Sequence, residues 1–286
     1  MKHSVDEIKL KALELFPKKA FSSAVGKWAA IRFPSMVSRL QNRVFSHAVS
    51  LMRDEAELDI ENYPTLDALF TRRLKAGART VDMAPGSIVS PSDGHLASFG
   101  TVQEDTLIQA KGINYTLSEL LGDRILGKEL NYGKYFTVYL SPHDYHRVHF
   151  PLDGTVISFR HIDGQCFPVG EFSTLNVQNL YCINERIVTV CEAPTGRKAA
   201  VVMIAAMGVG NMSLSYLPLV EGTHPDWKIF DKEHFSKVEK KRGDELGIFH
   251  LGSTVVVVLE KDMGELLPAL ETGMPLTMGR QIGILH

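Results

Sequence analysis

Apolar residues recur along the chain with two different periods, helical at first and strand-like afterwards. Val5, Ile8, Ala12, Leu15 and Phe16 return at helical spacing and predict a first helix. Pro17 ends that segment or starts the next, since its ring removes a backbone donor and crowds the preceding turn. Ala20 to Ile31, with Phe21, Val25, Trp28 and Ala29, predicts a second helix that Pro34 breaks. Ser35 is placed to cap a third, with Val37, Leu40, Val44, Ala48 and Leu51 along one face. Thr65 to Arg72 predicts one more short helix. Beyond it, β-rich runs alternate with glycine-containing turns: His95–Phe99, Thr106–Ala110, Tyr135–Leu140, Thr155–Phe159, Arg186–Cys191, Ala199–Ala206, Met212–Leu217 and Val255–Leu259. Leu117–Leu121, starting from Thr116, is a small helix among them. The pattern predicts an α+β fold: amphipathic N-terminal helices, then a mainly antiparallel β core that is barrel-like or built of layered sheets. The boundary is expected near residue 60, between a helical region 1–60 and a β-rich domain 61–286.

Composition narrows the class without changing this picture. A chain of 286 residues with 44% hydrophobic and 22% charged residues supports a real core in one large domain or two small ones. The net charge of −2 says little, but its distribution is uneven. Up to Arg53 the basic residues Lys2, Lys9, Lys11, Lys18, Lys19, Lys27, Arg32, Arg39, Arg43 and Arg53 face only Asp6, Glu7 and Glu14. The sign flips at Asp54, Glu55, Glu57, Asp59 and Glu61. A basic amphipathic region with Trp and Phe suits an anionic membrane interface, and it equally suits a helical layer on a core with its lysines in water. One helix can pack while another dips into lipid. The three cysteines, Cys166, Cys182 and Cys191, lack C-x-x-C spacing and suggest reduced thiols. No secretory signal is visible, and the longest apolar stretch, Ala199 to Val209, is too short to span a bilayer. The expectation is a soluble or peripheral protein. Nothing basic and aromatic-interleaved argues for nucleic acid, and no phosphate-binding glycine loop or G-x-S-x-G elbow is present.

Three segments carry candidate chemistry. Gly252-Ser253 stands directly before the apolar strand 255–259. Such a pair is a plain turn, or a bond that the Ser253 hydroxyl cleaves by attacking the unshielded Gly252 carbonyl. His143-Asp144-Tyr145-His146-Arg147-Val148-His149 is the densest titratable cluster, suited to proton transfer near neutral pH. Its three histidines would bind a metal only if they converge, which H-x-x-H-x-x-H spacing disfavours on strand and helix alike. Asp93-Gly94 is a turn former before a strand, or an acid that orients a histidine toward a serine. Three rival functions stay open on the residues alone: a serine hydrolase using Ser253, His149 and Asp93; a metal hydrolase on His143, His146 and His149; and a non-enzymatic membrane-surface module.

Together these segments resemble the bacterial-type phosphatidylserine decarboxylases. Leu251-Gly252-Ser253-Thr254 is similar to that family's self-cleavage signature, Leu140-Ser141-Pro142-His143-Asp144-Tyr145-His146-Arg147-Val148-His149 to its S-P-x-D-Y-H-R-x-H segment, and Val89-Ser90-Pro91-Ser92-Asp93-Gly94 to its V-x-P-x-D-G segment. Lys111-Gly112 with Tyr115-Thr116-Leu117, Asn184-Glu185-Arg186 and 243–249 are softer matches. The resemblance implies a self-cleaving proenzyme split between Gly252 and Ser253, with Ser253 becoming a covalent pyruvoyl cofactor. It implies that Asp93 and His149 join Ser253 in the maturation triad, that His146 transfers a proton during decarboxylation, and that Asp144 supports it. His143 falls on a variable position and takes no role. Cys166, in a segment resembling one near the substrate, stands where a larger apolar residue is expected. The implied reaction converts phosphatidylserine to phosphatidylethanolamine through a Schiff base whose electrons the pyruvoyl group accepts. The implied assembly is a homodimer of protomers, each a 1–252 and 253–286 pair, held peripherally on an anionic membrane surface at the cytoplasmic face of the cell membrane.

Overall fold

The computed structural model describes residues 2–110, 113–208, 211–217, 237–250 and 253–286. Gly252, with Leu251, lies outside the described residues, as do Lys111, Gly112, Val209 and Gly210.

The first four helices lie where the apolar spacing puts them: Lys2–Leu15 (α1), Lys18–Ala29 (α2), Ser35–Ala48 (α3) and Leu66–Phe70 (α4). Pro17 and Pro34 hold the cap positions of α2 and α3. Ser35 is therefore the first residue inside α3 and not its cap, and no side chain caps that end. Thr65 does cap α4, its Oγ1 accepting the Ala68 amide at 3.0 Å. The Lys18 ammonium closes the end of α1, donating to the carbonyls of Leu13, Glu14 and Phe16 at 2.7, 3.0 and 3.2 Å.

Helix α3 is inverted relative to an ordinary surface helix. Its buried residues are Ser38, Asn42 and Ser46. Met36, Val37, Leu40 and Val44 are 80%, 47%, 62% and 59% exposed. The polar side is anchored by Asn42, whose amide donates to the carbonyls of Ile60 and Tyr63 at 3.1 and 2.9 Å. The apolar face expected from the spacing exists, but it points away from the protein. Of its predicted members only Leu51 is buried, in a small cluster with Ala29, Ala56, Ile60, Tyr63, Leu66 and Leu69.

The core is an eight-stranded antiparallel sheet in the spatial order Val238–Lys240, Gly154–Ile162, Arg186–Glu192, Lys198–Ala205, Ser253–Leu259, Lys134–Leu140, Gly94–Thr101 and Pro275–Leu276. The valine-rich strand Ser253–Leu259 is buried at every position, so both faces of the sheet are covered there. This is why its sequence reads as a continuous apolar run and not as an alternation. Smaller antiparallel sheets flank it: Ser87–Val89 with Gln281–Leu285 and Gly264–Leu266; Met212–Leu214 with Glu245–Phe249 and Arg147–His149; and Thr106–Ala110 with Ile113–Thr116. Among the described residues no sheet closes on itself, so the layered alternative holds and the barrel does not. The strand expected over Met212–Leu217 stops at Leu214.

Candidate active site

Ser253 opens the central strand with Leu140 opposite it on one side and Ala205 on the other. It has no exposure to solvent, and its Oγ is buried without a hydrogen-bond partner among the described residues. Leaving a buried hydroxyl unpaired costs about 1–3 kcal/mol, so the position asks for an explanation.

Asp93 sits in the bend before the strand Gly94–Thr101. Only glycine fits next to it: Gly94 has φ +141, and a Cβ there would meet the Tyr139 carbonyl oxygen at 2.2 Å. The Asp93 carboxylate is buried and fully engaged. Oδ1 accepts the Met278 amide at 2.8 Å and Arg79 Nε at 2.8 Å, and Oδ2 accepts Arg79 Nη2 at 2.5 Å. Arg79 Nη2 also reaches Glu55 Oε2 at 2.8 Å. Two carboxylates hold this guanidinium well above its ordinary range, the Asp93 bond first among the causes.

His149 ends the short strand Arg147–His149, and its amide donates to the Pro91 carbonyl at 2.7 Å, tying it to the Asp93 bend. Its Nδ1 lies 2.8 Å from the Gly243 carbonyl and its Nε2 3.1 Å from the Tyr145 hydroxyl. A carbonyl only accepts, so Nδ1 carries the proton and Nε2 accepts from the tyrosine. Burial pushes this imidazole below its ordinary value, while the more distant charges of Glu245 and Asp93 act the other way. The structure thus brings Asp93 and His149 to adjoining strand ends, but no hydrogen bond joins Asp93, His149 and Ser253 to one another among the described residues.

His146 has no solvent exposure and stacks on Phe70 of α4 with ring centroids 4.1 Å apart. Nε2 donates to the Ser141 carbonyl at 3.0 Å, and Nδ1 is buried without a partner among the described residues. Burial first, then the Arg72 charge, push it down to about 3, so the imidazole is neutral at working pH. Asp144 accepts the Ser141 amide at 2.7 Å, and burial raises its carboxyl above the usual range in spite of that bond. His143 is the half-buried member of the cluster, with Nε2 3.5 Å from Asp144 Oδ1. The histidines at 143, 146 and 149 do not converge: among the described residues no three His, Cys, Asp or Glu side chains form a metal-ligand set.

A family profile described as phosphatidylserine decarboxylase matches residues 66–284. The phosphatidylserine decarboxylase proenzyme of Myxococcus xanthus is 37% identical over 280 residues, covering 98% of this chain and 99% of that protein. That of an Anaeromyxobacter species is 37% identical over 281 residues, covering 97% and 98%. That of Psychrobacter arcticus is 39% identical over 249 residues, covering 87% of each. The chain belongs to the phosphatidylserine decarboxylase family.

In this decarboxylase-family chain several residues around the site carry no sequence signal of their own. Arg72 is 2% exposed, and its Nη2 donates to the carbonyls of His143 and Asp144 at 3.0 and 3.2 Å, fixing the turn that presents His146. Its Nε and Nη1 have no partner among the described residues. Arg79 claims Asp93, and Tyr145 claims His149. Arginines are read from sequence as surface residues because they are rarely buried. These two are, because each meets backbone carbonyls or carboxylates that only the folded chain assembles. A further hydrogen-bonded chain runs from Asp67 through His250 to Ser213.

Proposed function

We propose that this chain is the proenzyme of a pyruvoyl-dependent carboxy-lyase that converts phosphatidylserine to phosphatidylethanolamine at a membrane surface. The observation that carries the reading is Ser253: a hydroxyl with no partner among the described residues, buried at the head of the central strand of a chain in this family. A buried, unspent nucleophile fits the precursor of a covalent carbonyl cofactor better than it fits a structural serine. In self-cleavage Ser253 Oγ bonds to the Gly252 carbonyl carbon, and the Ser253 nitrogen leaves it. The amide becomes an ester. Loss of the Cα proton then expels the Gly252 carboxylate, and hydrolysis of the enamine releases ammonia. The products are a 1–252 chain and a pyruvoyl-headed 253–286 chain. The shorter chain stays in place, because its first strand is hydrogen-bonded along both edges.

His149 is assigned the proton of Ser253, received at Nε2, where Tyr145 donates in this structure. Asp93 favours the resulting imidazolium by its charge, and Arg79 and the Met278 amide hold that charge in place. The pyruvoyl group, once formed, supplies a carbonyl that takes the substrate amine and accepts the electron pair left by carbon dioxide. His146 takes up at Nδ1, its ring nitrogen without a partner among the described residues, the proton that the substrate ammonium gives up before attack, and returns it to carbon, while Phe70 and the Ser141 carbonyl fix its plane. Asp144 supports that turn through the Ser141 amide. Residues 61–286 make up the catalytic region in this reading.

Residues 1–60 dock the enzyme on lipid. Met36, Val37, Leu40 and Val44 form an exposed apolar face on α3, and Phe21, Trp28 and Ile31 in the same helical region are 41%, 48% and 46% exposed. Lys27, Arg32 and Arg39 of the same region are exposed, as is Arg43, which pairs with Glu61 Oε1 at 2.6 Å. Apolar side chains accompanied by cations are what an anionic bilayer surface takes up. Among the described residues no helix is long and apolar enough to cross a membrane.

The deciding experiment is the intact mass of the purified protein under denaturing conditions, with decarboxylation assayed on phosphatidylserine vesicles. The expected result is two chains divided between Gly252 and Ser253, the smaller lighter than a serine-headed peptide by one NH3. A single chain that nevertheless decarboxylates the lipid would refute the pyruvoyl route.

A further inference from the structure

The imidazole of His250, two residues before Gly252, is engaged at both nitrogens. Nδ1 lies 2.8 Å from Asp67 Oδ1, on α4, and Nε2 lies 3.3 Å from Ser213 Oγ, on the strand Met212–Leu214. A carboxylate only accepts, so the proton sits on Nδ1 and Nε2 accepts from the hydroxyl. The His250 amide donates to the Asn211 carbonyl at 3.0 Å. Three separate points therefore hold residue 250. On the far side Ser253 is locked by pairing with Leu140 and Ala205. The side chains of His250 and Asp67 are each 26% exposed, so core packing does not demand the pair.

We infer that Asp67, His250 and Ser213 form a clamp that holds the chain in register for self-cleavage, which makes Asp67 and His250 positioning residues for that step. The inference rests on the self-cleavage reading of Ser253. Two residues join the clamp to the sheet, and one is glycine, the residue with the widest choice of backbone torsions. The residues on either side of that pair, His250 and Ser253, are both held. Intramolecular attack depends steeply on such fixing: a misplacement of about 1 Å costs on the order of 100-fold. The clamp also ties maturation to α4, the helix that carries Phe70 against His146.

The test follows conversion of freshly synthesised full-length chain into its two products by gel and intact mass. It then measures decarboxylation per carbonyl-bearing chain, counted with a hydrazide probe. Asp67→Ala is expected to slow conversion by roughly 10–100-fold, the scale of lost positioning. Asp67→Asn keeps an acceptor for Nδ1–H and is expected to convert within about threefold of the unaltered chain. His250→Ala should match Asp67→Ala, and the double variant should be no slower than either. Turnover per carbonyl-bearing chain stays unchanged in all of them. Conversion of Asp67→Ala at the normal rate overturns the clamp. So does equal slowing in Asp67→Asn, or lost turnover with normal conversion. If Asp67→Ala fails to fold, the contrast between His250→Ala and Asp67→Asn decides in the same way. An unaltered chain that never divides would sink the self-cleavage reading itself, a result distinct from a clamp failure.

Discussion

Replacing Leu40 and Val44 together by serine tests the inverted helix most directly. Both side chains face outward on α3, 62% and 59% exposed. Fully burying a Leu or Val side chain is worth about 1.5–3 kcal/mol. Scaling by the exposed fraction leaves roughly 0.9–1.8 kcal/mol for each in lipid, and about 2–3.5 kcal/mol for the pair. At about 1.4 kcal/mol per tenfold, partitioning onto vesicles should fall roughly 30–300-fold. Serine carries no charge, so the salt dependence of the residual binding, set by Lys27, Arg32, Arg39 and Arg43, should not change. Exposed positions contribute within about 0.5 kcal/mol to folding, so the melting temperature should move little. Cosedimentation with phosphatidylserine-containing vesicles reads the partition, and turnover on a soluble short-chain phosphatidylserine reads the site. A partition reduced less than about threefold would refute the docking assignment of this face, because burial of the pair alone predicts at least about a 30-fold loss.

Asn42→Ala should do the opposite, lowering the melting temperature while the folded fraction still binds vesicles, since it strips the donors from the buried Ile60 and Tyr63 carbonyls at about 1–3 kcal/mol each. His146 titrates near 6.5 when unfolded and about 3 when folded, so between those values the unfolded chain binds more protons. Its contribution to stability is fully present above pH 6.5 and is lost as pH falls toward 3, by up to about 1.4 kcal/mol per pH unit. His146→Phe should flatten the acid side of a denaturation series, and an unchanged slope would contradict the buried neutral imidazole. His149→Ala is expected to stall division of the chain, whereas His146→Ala divides normally and turns over more slowly by roughly 100-fold or more, the scale of a lost acid–base group. Normal turnover by His146→Ala would refute that division of labour. Ser253→Ala should neither divide nor decarboxylate, read by the same mass and vesicle assays.

Local information was enough for much of this protein. Helical spacing placed α1 to α3, because a period near 3.6 residues is imposed by backbone geometry wherever the helix ends up. Prolines at 17 and 34 marked the breaks for the same reason. The run 255–259 announced a buried strand, and the short motifs around Asp93, His146, His149 and Ser253 announced the family. Short elements escaped: Ser87–Val89, Arg147–His149 and Glu245–Phe249 are three to five residues long and stabilised by partners far away in the chain.

Direction and partnership were decided only in three dimensions. The apolar stripe of α3 is evident in the sequence, but its outward orientation depends on Asn42 finding the Ile60 and Tyr63 carbonyls. Whether Asp93 meets a histidine or an arginine is likewise not written near residue 93. Arg79 takes the carboxylate because the chain between them folds back, with Glu55 completing the cluster. His250 gave no signal at all, since a lone histidine acquires meaning only from Asp67 and Ser213, which lie 183 and 37 positions away. Periodicity is a property of neighbours along the chain, and so a sequence carries it openly. Hydrogen-bond partners and exposed faces are properties of neighbours in space, and these exist only once the chain has closed on itself.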